Sequence, residues 1–316
     1  MSNTPSTATA PSTSGAIDLT KYAWLSIATG IVVFTMKIGA YMTTGSVGLL
    51  SDALESTVNI VAAVVALIAL RTAMKPPDPL HHFGHGKAEY FSAQVEGFMI
   101  LLAAIVIVGT AVERLLKPQP LEQVGWGLAI STLASLLNGA VAFILMRAGK
   151  KNRSMVLTAD GRHLLTDVWT SVGVIVGVAA VSITGFLRLD ALIAMAVGLN
   201  IIVTGLNLLR ESTAGLMDKA LPEKDHAAIV EVLQRHESET VKFHALQTRE
   251  AGRHRFVHMH VLVPGAWTIQ QGHDLSEQIE AEIIAVLPDA AVQTHIEPLE
   301  DPRSWADEHD GQHRWD

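Results

Sequence analysis

Asp52, Glu55 and Asn59 in one apolar stretch, and Asp160, His163 and Asp167 in another, share the spacing i, i+3, i+7. At 3.6 residues per turn that spacing puts each triplet on one helix face, within about 60°. Two such faces can meet. An ionisable group at membrane depth costs about 2.5–3.5 kcal/mol on insertion scales, so its presence marks a partner or a task. Carboxylates plus an imidazole, converging from two helices, form a divalent-metal cage. Asp52 and Asp160 stand one turn ahead of the rest of their triplets and are candidate guards of the two entrances. Helix capping, or bonding to a nearby hydroxyl such as Ser51 or Thr158, is the plainer alternative.

The remaining histidines suggest further sites. Of 14, His163 is intramembrane, His81, His82 and His85 lie in one loop, and ten follow residue 220. His81 and His85 are four residues apart with Asp78 beside them, which fits either a loop metal site or solvated surface groups. His258 and His260 share one strand face, as do His295 and Glu297. Any one of these reads as an ordinary surface histidine. The set His244, His260, His273, His295 and Glu297 favours metal ligation, although periodicity alone does not bring them together. There is no cysteine, which excludes disulfides and thiolate ligands. His, Asp, Glu, Asn and water suit Zn²⁺, Fe²⁺, Co²⁺, Ni²⁺, Mn²⁺ or Cd²⁺ better than Cu⁺. His81 stands where a Walker A loop ending in Gly86-Lys87 needs glycine, and no HExxH occurs, which removes the simplest intramembrane protease reading. A net charge of −8 gives no reason to expect a nucleic-acid partner.

The elements that must position these residues follow from composition. In 316 residues the mean hydropathy is +0.32, with 49% hydrophobic and 17% charged residues. Six apolar segments are read: Tyr22 to Tyr41, Val47 to Leu70, Phe98 to Leu115, Trp126 to Leu145, Val168 to Phe186 with Thr158 to Asp167 as its first turns, and Leu189 to Leu209. Each is near the ~20 residues that cross hydrocarbon as a helix. Residues 1–20, rich in Ser, Thr and Pro, read as a disordered tail without a cleavable signal. With the N-terminus inside, the inner segments hold Lys21, Arg71, Lys75, Lys87, Arg147, Lys150, Lys151, Arg153 and Arg210. The outer loops then hold Arg114, Lys117 and Arg188. That asymmetry places both termini in the cytoplasm.

Leu221-Pro222 marks a change to polar sequence. From Glu223 the pattern is helix to Arg235, strand Val241 to Arg249, strand Arg253 to Val263, helix Thr268 to Leu287 and strand Ala291 to Glu297. The order α-β-β-α-β implies a small two-layer α+β domain with both helices on one sheet face, a ferredoxin-like arrangement. The expected fold is therefore an all-α six-helix transmembrane bundle with a cytoplasmic α+β domain. The boundaries are 1–20 tail, 21–213 transmembrane, 214–300 cytoplasmic and 301–316 a disordered tail rich in acids and histidine.

Several motifs in order resemble the cation diffusion facilitators, proton-driven exporters of divalent metals. They are SDALESTVN, DPLHHFGHGKAEY, ADGRHLLTD, MDKALP and the histidines of the soluble domain, spread over residues 20 to 300. The resemblance is to the bacterial zinc and iron efflux branch, hence to a homodimer in the inner membrane and not to an enzyme. It implies a transport site of Glu55, Asn59, His163 and Asp167, and a loop site of Asp78, His81 and His85. It also implies a cytoplasmic site of His244, His260, His273, His295 and Glu297, with Lys87 and Asp218 forming an interlocking salt bridge at the dimer interface. Zinc-type members carry Asp or His followed by Asp where this chain has Glu55 and Asn59, and Glu297 stands where Asp is common.

On that assignment, Glu55 and Asp167 balance one M²⁺ while His163 and Asn59 are neutral ligands. Two bare carboxylates in a poorly hydrated bundle are unfavourable, so metal and protons compete for the same groups. A site opening alternately to each side then couples metal export to proton entry. The rival readings are a passive cation channel with the triplets as filter, and a membrane-anchored metal sensor or buffer. The expected partners are membrane lipid, a second copy of the chain, divalent metal (Zn²⁺ or Fe²⁺ foremost) and protons. No organic cofactor is expected.

Overall fold

The computed structural model describes residues 18–44, 47–117, 126–186 and 188–305. The expectations for residues 1–17 of the N-terminal tail, for the C-terminal tail beyond residue 305, and for the side chains of Asp52 and Glu55 lie outside the described residues. Six long helices come first: α1 (Thr20–Thr44), α2 (Val47–Ala73), α3 (Ala88–Leu116), α4 (Trp126–Asn152), α5 (Met155–Thr184) and α6 (Arg188–Leu216). Among the described residues, α1, α2, α3, α4 and α6 are long and apolar enough to cross a membrane. Helix α5 carries Asp160, Arg162 and Asp167 in its first half and packs between α4 and α6.

Helix α3 corrects one expectation. It begins at Ala88, ten residues before the apolar run that starts at Phe98. The early turns hold Glu89, Ser92, Gln94 and Glu96, which depress hydropathy without breaking the helix. Three of these four are buried, on the face of α3 that packs against protein, whereas Phe91 and Val95 on the opposite face are exposed.

The pairs α1/α2, α3/α6 and α4/α5 pack most closely. Small residues permit the approach: a Cβ on Gly97 of α3 would lie 2.8 Å from Leu209 Cδ2 of α6. Helix α5 has both ends marked. Ser154 is its N-cap, accepting from Leu157 N–H, and Gly185 ends it in the left-handed region at φ 70°.

The C-terminal part has α7 (Glu223–His236), β1 (Lys242–Ala251), β2 (His254–Val263), α8 (Ile269–Val286) and β3 (Ala290–Pro298), in the expected order. The sheet order is β1-β2-β3, antiparallel then parallel. Val257, Met259, Val261 and Val263 face α7 and α8, where Ile229, Val232, Leu233, Ile279 and Ile283 complete one core. Helix α8 opens with a capping box between Thr268 and Gln271. With one face of β2 filled by helices, alternation leaves His258 and His260 to the other.

Candidate metal sites

Within the bundle, Asn59 of α2 stands between His163 and Asp167 of α5. Its amide nitrogen donates to Asp167 Oδ2 at 2.5 Å, and its carbonyl oxygen lies 2.8 Å from His163 Nε2. The imidazole must carry its proton on Nε2 for that contact to be a hydrogen bond. Asn138 of α4 donates to the same Asp167 oxygen at 3.4 Å. Asn59 and His163 are 7% and 5% exposed. The Asn59 amide thus links the His163 ring on one side to the Asp167 carboxylate on the other. The backbone of α2 carries Glu55 four residues before Asn59, one turn away on the same face.

Asp160 neither caps a helix nor bonds Thr158. The N-cap is Ser154, and the Thr158 hydroxyl donates to the Ser154 carbonyl. Asp160 is 1% exposed, with the Ser26 hydroxyl of α1 beside it.

Asp78, His81 and His85 meet in the α2–α3 loop. Asp78 Oδ1 is 3.1 Å from His81 Nδ1 and Oδ2 is 3.3 Å from His85 Nε2. Desolvation pushes the Asp78 carboxyl up, but the Leu80 and His81 N–H groups and the His81 ring outweigh it and hold the group below its usual 3.8. An ionised carboxylate between two imidazoles suits a divalent ion, which takes the place of ring protons.

In the C-terminal sheet, His244 is paired with His260 and His260 with His295, so the register aligns three histidines across three strands. Glu297 Oε2 lies 3.0 Å from His244 Nε2 and 3.2 Å from His260 Nδ1, and Oε1 is 3.6 Å from His295 Nε2. The ligand atoms of His244, His260 and Glu297 lie within 4.8 Å of one another, and His273 is exposed on α8. Trp305, which the sequence reading passed over, stacks near His244 at 5.8 Å between ring centroids and is held by its indole N–H donating to the Leu299 carbonyl. Its place beside His244 rests on a turn beyond the last strand, and strand periodicity gives no sign of it.

Lys87 donates to Asp218 at 3.0 Å and to the Leu216 carbonyl within one chain, and Arg249 of β1 donates to the other Asp218 oxygen at 3.0 Å. Arg249 in turn lies over the rings of Phe83 and Phe256, 4.8 and 4.1 Å from their centroids. Partial burial pushes Asp218 up, and the hydrogen bonds and charges of Lys87 and Arg249 more than offset it, holding the carboxyl below 3.8. A depressed carboxyl contributes stability above its unfolded value and loses it as pH falls through the folded one. The hydrogen-exchange protection factor of residues 249–255, with the intrinsic pH dependence of amide exchange divided out, is therefore expected to stay flat from about pH 8 to about pH 5 and to fall only below about pH 4. A loss of protection within the upper range would show that this carboxylate does not hold the contact.

Comparison with known proteins follows this geometry. Residues 23–217 match the family model for the cation efflux transmembrane domain, and residues 221–299 that for the cation efflux protein cytoplasmic domain. An uncharacterised transporter of Synechocystis is 54% identical, over 90% of this chain and 92% of its own. A cation-efflux pump FieF of Serratia proteamaculans is 34% identical over 84% and 88%. Among solved structures, the metal-bound C-terminal domain of the CzcD transporter from Thermotoga maritima is 27% identical. It covers 25% of this chain and 92% of its own, at a TM-score of 0.23.

Proposed function

The chain belongs to the cation efflux family of integral membrane transporters, and from that premise we propose that it exports a divalent transition-metal cation in exchange for protons. The meeting of Asn59, His163 and Asp167 across α2 and α5 carries this reading. Glu55, Asn59, His163 and Asp167 form the transport site, with Asp52 and Asp160 as accessory groups. Glu55 and Asp167 neutralise the ion, and His163 and Asn59 complete its shell. When the ion leaves, protons replace the lost positive charge while the Asn59 N–H donates to Asp167, so metal and protons compete for one set of groups. Access alternates between the two sides.

Zn²⁺ and Fe²⁺ head the candidate cargoes, because the site mixes imidazole with oxygen donors. Asp78, His81 and His85 form a loop site, and His244, His260, His295 and Glu297, joined by His273, form a regulatory site on the soluble domain. The protein works as a homodimer in a bacterial inner membrane with both termini cytoplasmic, and Lys87 and Asp218 lie near the dimer interface. The domains are residues 21–213 and 214–300, flanked by tails 1–20 and 301–316.

The test is metal uptake by proteoliposomes of the purified chain, with internal dyes for metal and pH. The expected result is saturable metal flux that accelerates with an opposing pH gradient and moves protons the other way. Flux indifferent to the gradient would favour a passive channel, and no flux a sensor.

Asn59 gives a selectivity prediction. Aspartate at 59 adds a third carboxylate and removes the amide bridge, so Asn59→Asp is expected to change the ranking of transported ions and to make uptake more steeply pH-dependent. A rank order identical to wild type, measured metal by metal in the same vesicles, would show that the amide does not tune selectivity.

A further inference from the structure

The end of the bundle that faces the soluble domain holds a cavity that neither the transport site nor the histidine sites use. It measures about 200 Å³, and its lining joins Lys150 at the end of α4 and Arg153 beside it to Tyr90 of α3 and to Glu250 and Gly252 of the β1–β2 hairpin. Its charges are divided between the two parts of the chain. On the bundle side, Lys150 is exposed and has no carboxylate partner among the described residues. Arg153 contacts Asp225 Oδ2 at 3.2 Å, but Arg255 shares that oxygen at 3.5 Å, so Arg153 is only partly neutralised. On the hairpin side, the Glu250 carboxylate is half-buried, and Arg153 and Lys219 attract it without bonding to it. Burial pushes this carboxyl above its usual 4.5. A half-buried carboxylate without a donor is costly, and the cations that line the same space do not close on it. A ligand with one negative and one positive pole satisfies both walls.

The surface that leads to the cavity shows where such a ligand comes from. Leu136, Ala140, Phe143, Arg147 and Lys150 follow one another at i, i+4, i+7, i+11 and i+14, which puts them on one face of α4. All five are exposed. The stripe is apolar as far as Phe143 and basic from Arg147, about 6 Å further along the axis. That change marks the edge of the hydrocarbon, and Lys150, one turn beyond it, stands at headgroup level.

We propose that this cavity seats the headgroup of an aminophospholipid, with Lys150 and Arg153 on the phosphate, Glu250 on the primary ammonium, and the acyl chains along Phe143 and Leu136. Basic pockets where transmembrane helices end are suited to lipid phosphates. Glu250 adds the selection: it repels a headgroup that is only anionic, and it makes a charge-assisted hydrogen bond with a primary ammonium that a quaternary one, lacking N–H, cannot give. Because Lys150 belongs to the bundle and Glu250 to the hairpin, the bound lipid ties the two parts together. The proposal requires a chain seated in a membrane and is independent of what the chain transports.

The test is native mass spectrometry of the full chain released from vesicles of equal parts phosphatidylethanolamine, phosphatidylcholine and phosphatidylglycerol. Wild type is expected to retain one phosphatidylethanolamine per chain, in preference to either other lipid by about fivefold or more. Glu250→Gln is expected to bring the ethanolamine and choline lipids level, and Lys150→Gln to lower the retention of both. Lys151 is exposed and does not line the cavity, so Lys151→Gln is the control, expected to keep the wild-type pattern within about twofold. Equal retention of the three lipids by wild type overturns the proposal. So does a preference for phosphatidylglycerol, which would mark a plain basic surface, and so does an ethanolamine preference that survives Glu250→Gln. A loss in Lys151→Gln as large as that in Lys150→Gln overturns it as well, because retention would then follow surface charge and not the cavity.

Discussion

Alanine at Asp167 is expected to abolish metal flux in proteoliposomes while the protein remains folded. Losing even a supporting partner of a metal ligand costs about 10- to 100-fold in affinity, so loss of a charged ligand should cost at least about a hundredfold. Charge and shape can be separated here. Asp167 Oδ2 accepts hydrogen bonds from both Asn59 and Asn138, so alanine also leaves two amides without an acceptor. Asp167→Asn keeps a carbonyl oxygen in that place and removes only the charge. If the loaded site is electroneutral, the asparagine variant should fail as completely as the alanine one, with a thermal midpoint nearer wild type. Substantial flux through Asp167→Asn would show that two carboxylates are not needed to balance the ion. His163→Ala should give the same loss of flux, by removing the imidazole that sits 2.8 Å from Asn59.

Much of this site was legible before the fold was known. The i, i+3, i+7 spacing put Asn59 on one face of α2 and His163 with Asp167 on one face of α5, and those faces meet. Alternation in β2 likewise separated Val257, Met259 and Val261, which enter the core, from His258 and His260. The register across β1, β2 and β3 then lines up His244, His260 and His295, a fact of strand pairing that no single strand's pattern contains.

What was missed follows a physical rule. A hydropathy reading starts a span where apolar residues begin, and so it passed over the first ten residues of α3, a helical segment whose Glu89, Ser92 and Glu96 are buried on one face while Phe91 and Val95 are exposed on the other. Glu89 and Glu96 disappeared with that segment. His273 joins the sheet histidines through the family resemblance and not through strand pairing, and it is exposed on α8.

Those overlooked residues lie beside the most crowded contact between the two parts of the chain, which sets the second large prediction. Gly86 of the loop runs against the β1–β2 hairpin so closely that a Cβ there would lie 2.2 Å from the Ala251 carbonyl oxygen and 3.0 Å from its carbon. Gly252, at φ 61°, meets the Gly86 backbone from the other side. Backbone opposes backbone, so no rotamer change relieves the overlap. Three residues on, Glu89 accepts from the Ser154 hydroxyl at 2.7 Å and from Val156 N–H at 3.4 Å, and its other oxygen is 3.8 Å from Arg253 Nε. This one carboxylate therefore touches the first turn of the helix that bears His163 and Asp167 as well as the hairpin that continues to His244 and His260.

Gly86→Ala is expected to push the hairpin tip away from the bundle, since overpacking of this kind costs about 1–3 kcal/mol even where side chains can yield. Hydrogen–deuterium exchange of residues 249–255 should quicken, the thermal midpoint should fall, and flux should drop although every ligand is intact. Gly109→Ala in α3 is the matched control, because a Cβ there meets nothing within 4 Å and should leave all three readouts at wild type. Unchanged exchange in Gly86→Ala would mean that loop and hairpin do not press together, and the link from the histidine sheet to the first turn of α5 would be lost with that contact.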